Sequence, residues 1–175
     1  MTKTSLIIVL LEDDHHKMLV YRYLKFRGVD AHRMRIEISP SGEGSAESWV
    51  RKTFVKETGA YRARTARTAL IVIIDADIFT VQDRLVQLDK ALKDAGKRAV
   101  SQDEQIARVV PKRNVETWVL CLNGGDVNEE SDDKRSRDNW KPLIPEAAKT
   151  LFHWTQEGTG RRVAASNLSG VGSEN

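Results

Sequence analysis

The chain contains a single cysteine, Cys121, so no internal disulfide can form. Its neighbours Leu120 and Leu122 predict a buried thiol, and a reduced, cytoplasmic setting is expected. No apolar run exceeds six residues. A membrane-crossing helix needs about 20, so no span is expected. The first five residues lead into an apolar run without the h-region or cleavage site of a secretory signal. There is no internal repeat. There is no Gly-Lys-Ser/Thr ending of a P-loop, and no full dinucleotide fingerprint. No Ser-His-Asp or Cys-His order suggests covalent catalysis. What remains is 175 residues, 40% apolar, enough for one packed domain with a small appendage.

Two apolar runs end in acid. Leu6–Leu11 runs into Glu12-Asp13-Asp14, and Ala69–Ile74 runs into Asp75-Ala76-Asp77. Runs of this kind read as strands buried on both faces of a parallel sheet. In such sheets ligands bind at the carboxyl ends of the strands.

The remaining elements alternate. Strands are predicted near 5–11, 31–38, 69–74 and 106–110, the second on an edge or half-exposed. Helices are predicted near 14–27, 45–58, 79–95, 114–122 and 143–154. Gly28 and Gly96 stop the first and third, and Asn114 caps the fourth. The stripe Val115, Trp118, Val119, Leu122 marks a buried helix face, with Trp118 a packing residue. This order predicts right-handed crossovers with helices on both faces of the sheet. The expected division is 1–124 for an α/β domain, 125–154 for an acidic linker and a short C-terminal helix, and 155–175 for a loose tail.

Glu12, Asp75 and Asp77 are the candidate metal ligands. Mg²⁺ is held by one or two carboxylates, waters and substrate phosphates. A strand-end Glu can bind the same ion or move a proton. The competing reading is that these acids cap helices, Asp13 or Asp14 the first and Asp77 the third. On acidic repulsion alone, neutralising Asp75 should maintain or raise stability. His15 and His16 are expected to be exposed polar residues of a first helical turn, or, with the acids, transition-metal ligands. Asp83 is expected at the surface. Gly42-Glu43-Gly44-Ser45 reads as a β-α turn capped by Ser45, with phosphate contact as the alternative.

Glu after the first strand and Asp-x-Asp after the third resemble the Toprim superfamily, with Glu12, Asp75 and Asp77 on the signature positions. The resemblance covers about residues 5–122. Asp13 stands where the family usually has Gly after the Glu. The segment Val110-Pro111-Lys112-Arg113-Asn114-Val115-Glu116-Thr117-Trp118 resembles the Glu-x-Trp helix of small bacterial Toprim-like proteins, several linked to phage defence. The resemblance implies a Rossmann-like Toprim fold with a mostly parallel four-stranded sheet. It implies a nuclease of the overcoming-lysogenisation-defect (OLD) type using Mg²⁺ or Mn²⁺. Glu116 would then be a fourth catalytic carboxylate, and an ATPase would be the partner protein. Glu12-Asp13-Asp14 before an amphipathic helix also resembles a response-regulator receiver, in which Asp75 would accept phosphate. The spacing from Glu12 to Asp75 exceeds the usual one for that family, and the Met-Pro after the acceptor is missing.

Charge is uneven. Arg51, Lys52, Lys56, Arg62, Arg64 and Arg67 oppose one acid, Glu57, between 51 and 67. A basic field beside an acidic metal site suits a phosphodiester. Arg62, Arg64, Arg67, Lys112 and Arg113 are therefore the candidate nucleic-acid contacts, a solvated helix face being the alternative. The favoured reading is a metal-dependent nuclease. The alternatives are the receiver and a catalytically inactive binding module, with oligomerisation open in each case.

Overall fold

The computed structural model describes residues 4–42, 44–127 and 140–157. Nine elements follow in chain order: β1 Leu6–Leu11, α1 Asp14–Phe26, β2 Met34–Ile38, α2 Ala46–Ala63, β3 Thr68–Ile73, α3 Val81–Asp94, β4 Ile106–Val109, α4 Val115–Leu122 and α5 Ile144–Glu157. The four strands form one sheet in the order β2-β1-β3-β4. Every pairing is parallel, with Val9 level with Ile36 on one side and Ile71 on the other. The protein is thus an α/β fold with the doubly wound arrangement that the sequence predicts.

Alternation sorts each central strand onto two cores, because successive side chains point to opposite faces. Ile8 and Leu10 of β1, with Leu70 and Val72 of β3 and the following Ile74, face α2 and α3. There they meet Val50, Phe54, Leu88 and Leu92. Val9, Leu11 and Ile73 face α1 and meet Val20 and Leu24. A third apolar cluster lies beyond α1, where Leu19 packs with Val115, Val119 and Leu122 of α4 and with Ile144, Ala147 and Ala148 of α5. The C-terminal helix is therefore cemented to α1 and α4.

Local chemistry sets the ends. Asp13 caps α1 by accepting from the amides of His15 and His16. Beyond α1, Gly28 takes the left-handed φ of +75° that side-chain-bearing residues resist. Asn114 caps α4 through the Thr117 amide. Three boundaries depart from expectation. Residues Ala31–Arg33 form a 3₁₀ turn, and only Met34–Ile38 pair as an edge strand. Helix α2 continues to Ala63. Helix α3 starts after Thr80, whose hydroxyl and backbone exchange bonds with Asp83 in a capping box, so Asp77 does not cap it. Cys121 is only half-buried. Of the acidic linker, 128–139 lies outside the described residues, as does 158–175 of the expected tail. Among the described residues, no helix is long and apolar enough to cross a membrane.

Phe54 is wholly buried between α2 and the sheet. Phe54→Ala is expected to cost about 3–5 kcal/mol. Urea unfolding with an unchanged m-value checks this.

Candidate functional site

From β1 the chain crosses to β2 on one side, and from β3 it crosses to β4 on the other. The crevice between the carboxyl ends of β1 and β3 is the point where ligands bind in sheets of this kind. Glu12 and Asp75 stand there. Glu12 Oε1 accepts the backbone N–H of Asp75 at 2.6 Å, joining the two strand ends directly. Burial pushes the Glu12 carboxyl up to about 7, helped by the charges of Asp75 and Asp77. The Asp75 amide and His16 oppose the shift.

His16 is fully buried, contrary to the exposed residue expected. Its Nδ1 lies 2.8 Å from Asp13 Oδ1, and its Nε2 lies 3.0 Å from Asp75 Oδ1. Burial favours the neutral ring. The hydrogen bonds and charges of the two carboxylates outweigh it and raise the imidazole to about 10. An imidazolium with two N–H donors is thus the neutral-pH form. Asp13 is also penalised by burial, yet the His16 bond and charge hold it well below the usual carboxylate range. A signal for His16 was present in the sequence. It begins the stripe His16, Leu19, Val20, Leu24, all buried on one face of α1.

Asp75-Ala76-Asp77 makes a tight turn held from two sides. The amides of Ala76 and Asp77 donate to the carbonyls of Pro111 and Arg113, at 2.9 and 3.0 Å. Arg113 Nη1 donates back to the Asp77 carbonyl at 2.9 Å. Asp77 adopts a left-handed φ of 53°, which Asp tolerates better than most residues. Its carboxylate turns towards α3, with Oδ2 at 3.4 Å from Arg84 Nη2. Buried Arg84 also donates from Nε to the Asp75 carbonyl and from Nη1 to Glu47, while its guanidinium lies over Phe79. Glu12 and Asp75 therefore meet. Asp77 is coupled to them by charge but leans on Arg84.

Glu116 lies in the first turn of α4 and is 1% exposed. Its Oε1 is 2.6 Å from His15 Nδ1. Among the described residues, the ligand atoms that cluster within 4.8 Å of one another belong to Asp13, His15 and Glu116. Glu12, Asp75 and Asp77 are not drawn to that closeness. The donor set suits a divalent cation nonetheless. Oxygen donors predominate, and the buried Glu116 Oε2 has no hydrogen-bond partner among the described residues.

The basic stretch from Arg62 to Arg67 does not adjoin these acids, whereas Arg51 near the start of α2 pairs with Glu47, which Arg84 also holds. Helix α2 returns from the carboxyl to the amino end of the sheet, and Arg67 immediately precedes β3. At roughly 3.3 Å per residue, Arg67 lies about 25 Å from Asp75. Arg62 is bidentate on Glu104, at 2.7 and 3.0 Å, and donates to the carbonyls of Arg98 and Ala99. Arg64 pairs with Glu57 at 3.1 Å. Charge counted along the chain hid this, because a helix carries its two ends to opposite sides of the sheet. Lys112 and Arg113 do follow β4 at the acidic end. At the turn after β2, the Ser45 hydroxyl accepts from the Ser48 amide, so it serves as a helix cap. Glu43 lies outside the described residues.

No protein-family model matches the chain, and no curated protein matches it. A solved structure of the C-terminal region of the OLD protein of Xanthomonas campestris pv. campestris is similar, with a TM-score of 0.41 and 12% identity over 84% of each chain. A likeness of this size leaves function to be argued from the site.

Glu12 has a raised pKa, so its contribution to stability is full below about 4.5 and is lost as pH rises through about 7. In the presence of chelator, stability should decline between these values. Glu12→Gln keeps an acceptor for the Asp75 amide. It should flatten the decline and add about 1–3 kcal/mol at pH 8. Urea midpoints across pH 4–8 test this.

Arg62→Ala leaves Glu104 without its bidentate partner and should cost about 1–3 kcal/mol. Its effect on the salt dependence of nucleic-acid binding should be small. A normal melting temperature with a reduced salt slope would reverse that assignment.

Proposed function

We propose that the chain is a divalent-metal-dependent phosphodiesterase acting on nucleic acid, with its site at the carboxyl ends of β1 and β3. The observation that carries this is the meeting of Glu12 and Asp75 at the strand-order switch point, where burial, and after it the charge of Asp75, raises the Glu12 carboxyl to about 7. Mg²⁺ or Mn²⁺ bound by Glu12, Asp75 and Asp77 would neutralise that charge and polarise a phosphoryl oxygen. Where Glu12 stands off the ion instead of ligating it, its pKa of about 7 suits it to move a proton to or from water or the leaving oxygen. Asp77 is the solvent-facing carboxylate of the three, its side chain 40% exposed. Lys112 and Arg113, which follow β4 at the same end of the sheet, would meet phosphates. Buried Arg84 fixes the turn that presents Asp77.

The phosphoacceptor reading fares worse. The spacing from Glu12 to Asp75 exceeds that of a receiver, and Asp75 is followed by Ala76-Asp77 rather than Met-Pro. The OLD-type resemblance of the signature residues supports a role in defence against phage beside an ATPase. The inactive binding module remains the outcome if no cutting occurs.

The test uses supercoiled plasmid and a structured RNA with Mg²⁺ or Mn²⁺. Cleavage should appear with either metal and vanish with EDTA. It should fall at least a hundredfold in Asp77→Asn, about 3 kcal/mol of lost barrier stabilisation. Metal-independent cutting, or none on either substrate, would sink the proposal.

A further inference from the structure

We infer that Asp13, His15 and Glu116 form a separate cation site, selective for transition metals of the Mn²⁺, Co²⁺, Zn²⁺ series over Mg²⁺. Three ligand atoms from two helix starts lie within 4.8 Å of one another. Acidic clusters of that size are common, so a second observation matters more. Glu116 is 1% exposed, and its Oε2 is buried with no hydrogen-bond partner among the described residues. A carboxylate oxygen withdrawn from water and left unpaired is costly unless something binds it. Its Oε1 is already engaged by His15. A cation shared with His15 would satisfy both oxygens.

The donor set decides the metal class. One imidazole nitrogen with carboxylates suits Zn²⁺, Co²⁺ and Mn²⁺, whereas Mg²⁺ prefers oxygen alone and keeps its waters. Among divalent ions of the series, imidazole affinity also rises from Mn²⁺ to Co²⁺.

The surroundings fit a held site. Asp13 Oδ1 is occupied by the amides of His15 and His16 and by the His16 ring, so its carboxylate is fixed and Oδ2 is used by none of these three. Outer hydrogen bonds of this kind orient metal ligands. The His15 ring meets Trp140 edge-on, with centroids 4.3 Å apart. The side chains of Asp13 and His15 are 41% and 33% exposed, which gives an ion a way in.

One adjustment is needed. Ligands at about 2.0–2.2 Å from a tetrahedral ion stand roughly 3.3 Å apart. The His15–Glu116 contact of 2.6 Å must therefore open by under an ångström. The proton shared in that contact leaves as metal enters. Two helix starts oppose a cation, but the carboxylates lie closer to it than the distributed dipoles.

Cobalt(II) titration of the full chain, followed by visible absorption, tests the site without reference to cutting. In millimolar Mg²⁺, one Co²⁺ per chain should remain bound and be displaced by Zn²⁺. His15→Asn and Glu116→Gln should each weaken binding at least tenfold. Asp77→Asn should leave it within twofold. Unchanged binding in His15→Asn, or displacement by Mg²⁺ at equal concentration, would overturn the inference. If Glu116→Gln fails to fold by circular dichroism, the His15 variant decides alone. Because the readout is binding, absence of nuclease activity leaves this result standing, and loss of this site leaves Glu12, Asp75 and Asp77 to be judged by cleavage.

Discussion

A buried imidazolium between two carboxylates organises this molecule. His16 joins Asp13, the cap of α1, to Asp75, just past β3. Without it, helix and strand would meet through apolar packing alone, and Asp75 would be a wholly buried charge facing Glu12. With it, α1 is docked at one rotation and the acidic end of the sheet carries its own counter-ion. Such a group contributes little net stability against an apolar replacement, but removing one partner is severe, at about 3–5 kcal/mol. Neutralising Asp75 therefore ceases to be the relief of repulsion that the acidic sequence implies. It removes one of the two carboxylates that hold the buried imidazolium and leaves Asp13 as its remaining partner.

Much of the fold is legible because it rests on short-range rules. The six-residue apolar runs become the two central strands, and the imperfect run at 31–38 becomes an edge strand shortened by a 3₁₀ turn. Asn114 and Gly28 end elements as their chemistry requires. Less of the site is legible, since it depends on directions that a linear reading does not carry. Glu12 and Asp75 are placed together by parallel pairing of β1 with β3, which the sequence does imply. His16 is hidden by a habit of treating histidine as polar, although its spacing from Leu19, Val20 and Leu24 puts it inside. Arg62 and Arg64 look like a nucleic-acid surface in one dimension. In three, Arg62 is bidentate on Glu104 and Arg64 pairs with Glu57, at the end of the sheet away from Glu12 and Asp75.

The two acidic groups differ in physical character. Glu12 and Asp75 are strand-borne, tied to each other through a backbone amide, and fixed to within the rigidity of the sheet. Asp13, His15 and Glu116 are borne on helix starts and depend on the packing of α1 against α4. The cement of that packing includes α5, through Ile144, Ala147 and Ala148. A change in how α5 sits would reach the helix-borne group first and leave the strand-borne one largely undisturbed.

The doubled link between Asp77 and Arg113 has a consequence for chain length. Amide, carbonyl and guanidinium bonds between these residues prolong the β3–β4 pairing beyond the strands themselves. The two loops consequently form one stiff lip rather than two independent arms. A single residue inserted between Val109 and Arg113 would rotate the guanidinium off its carbonyl and release the left-handed turn at Asp77. The segment is thus constrained in count as much as in composition.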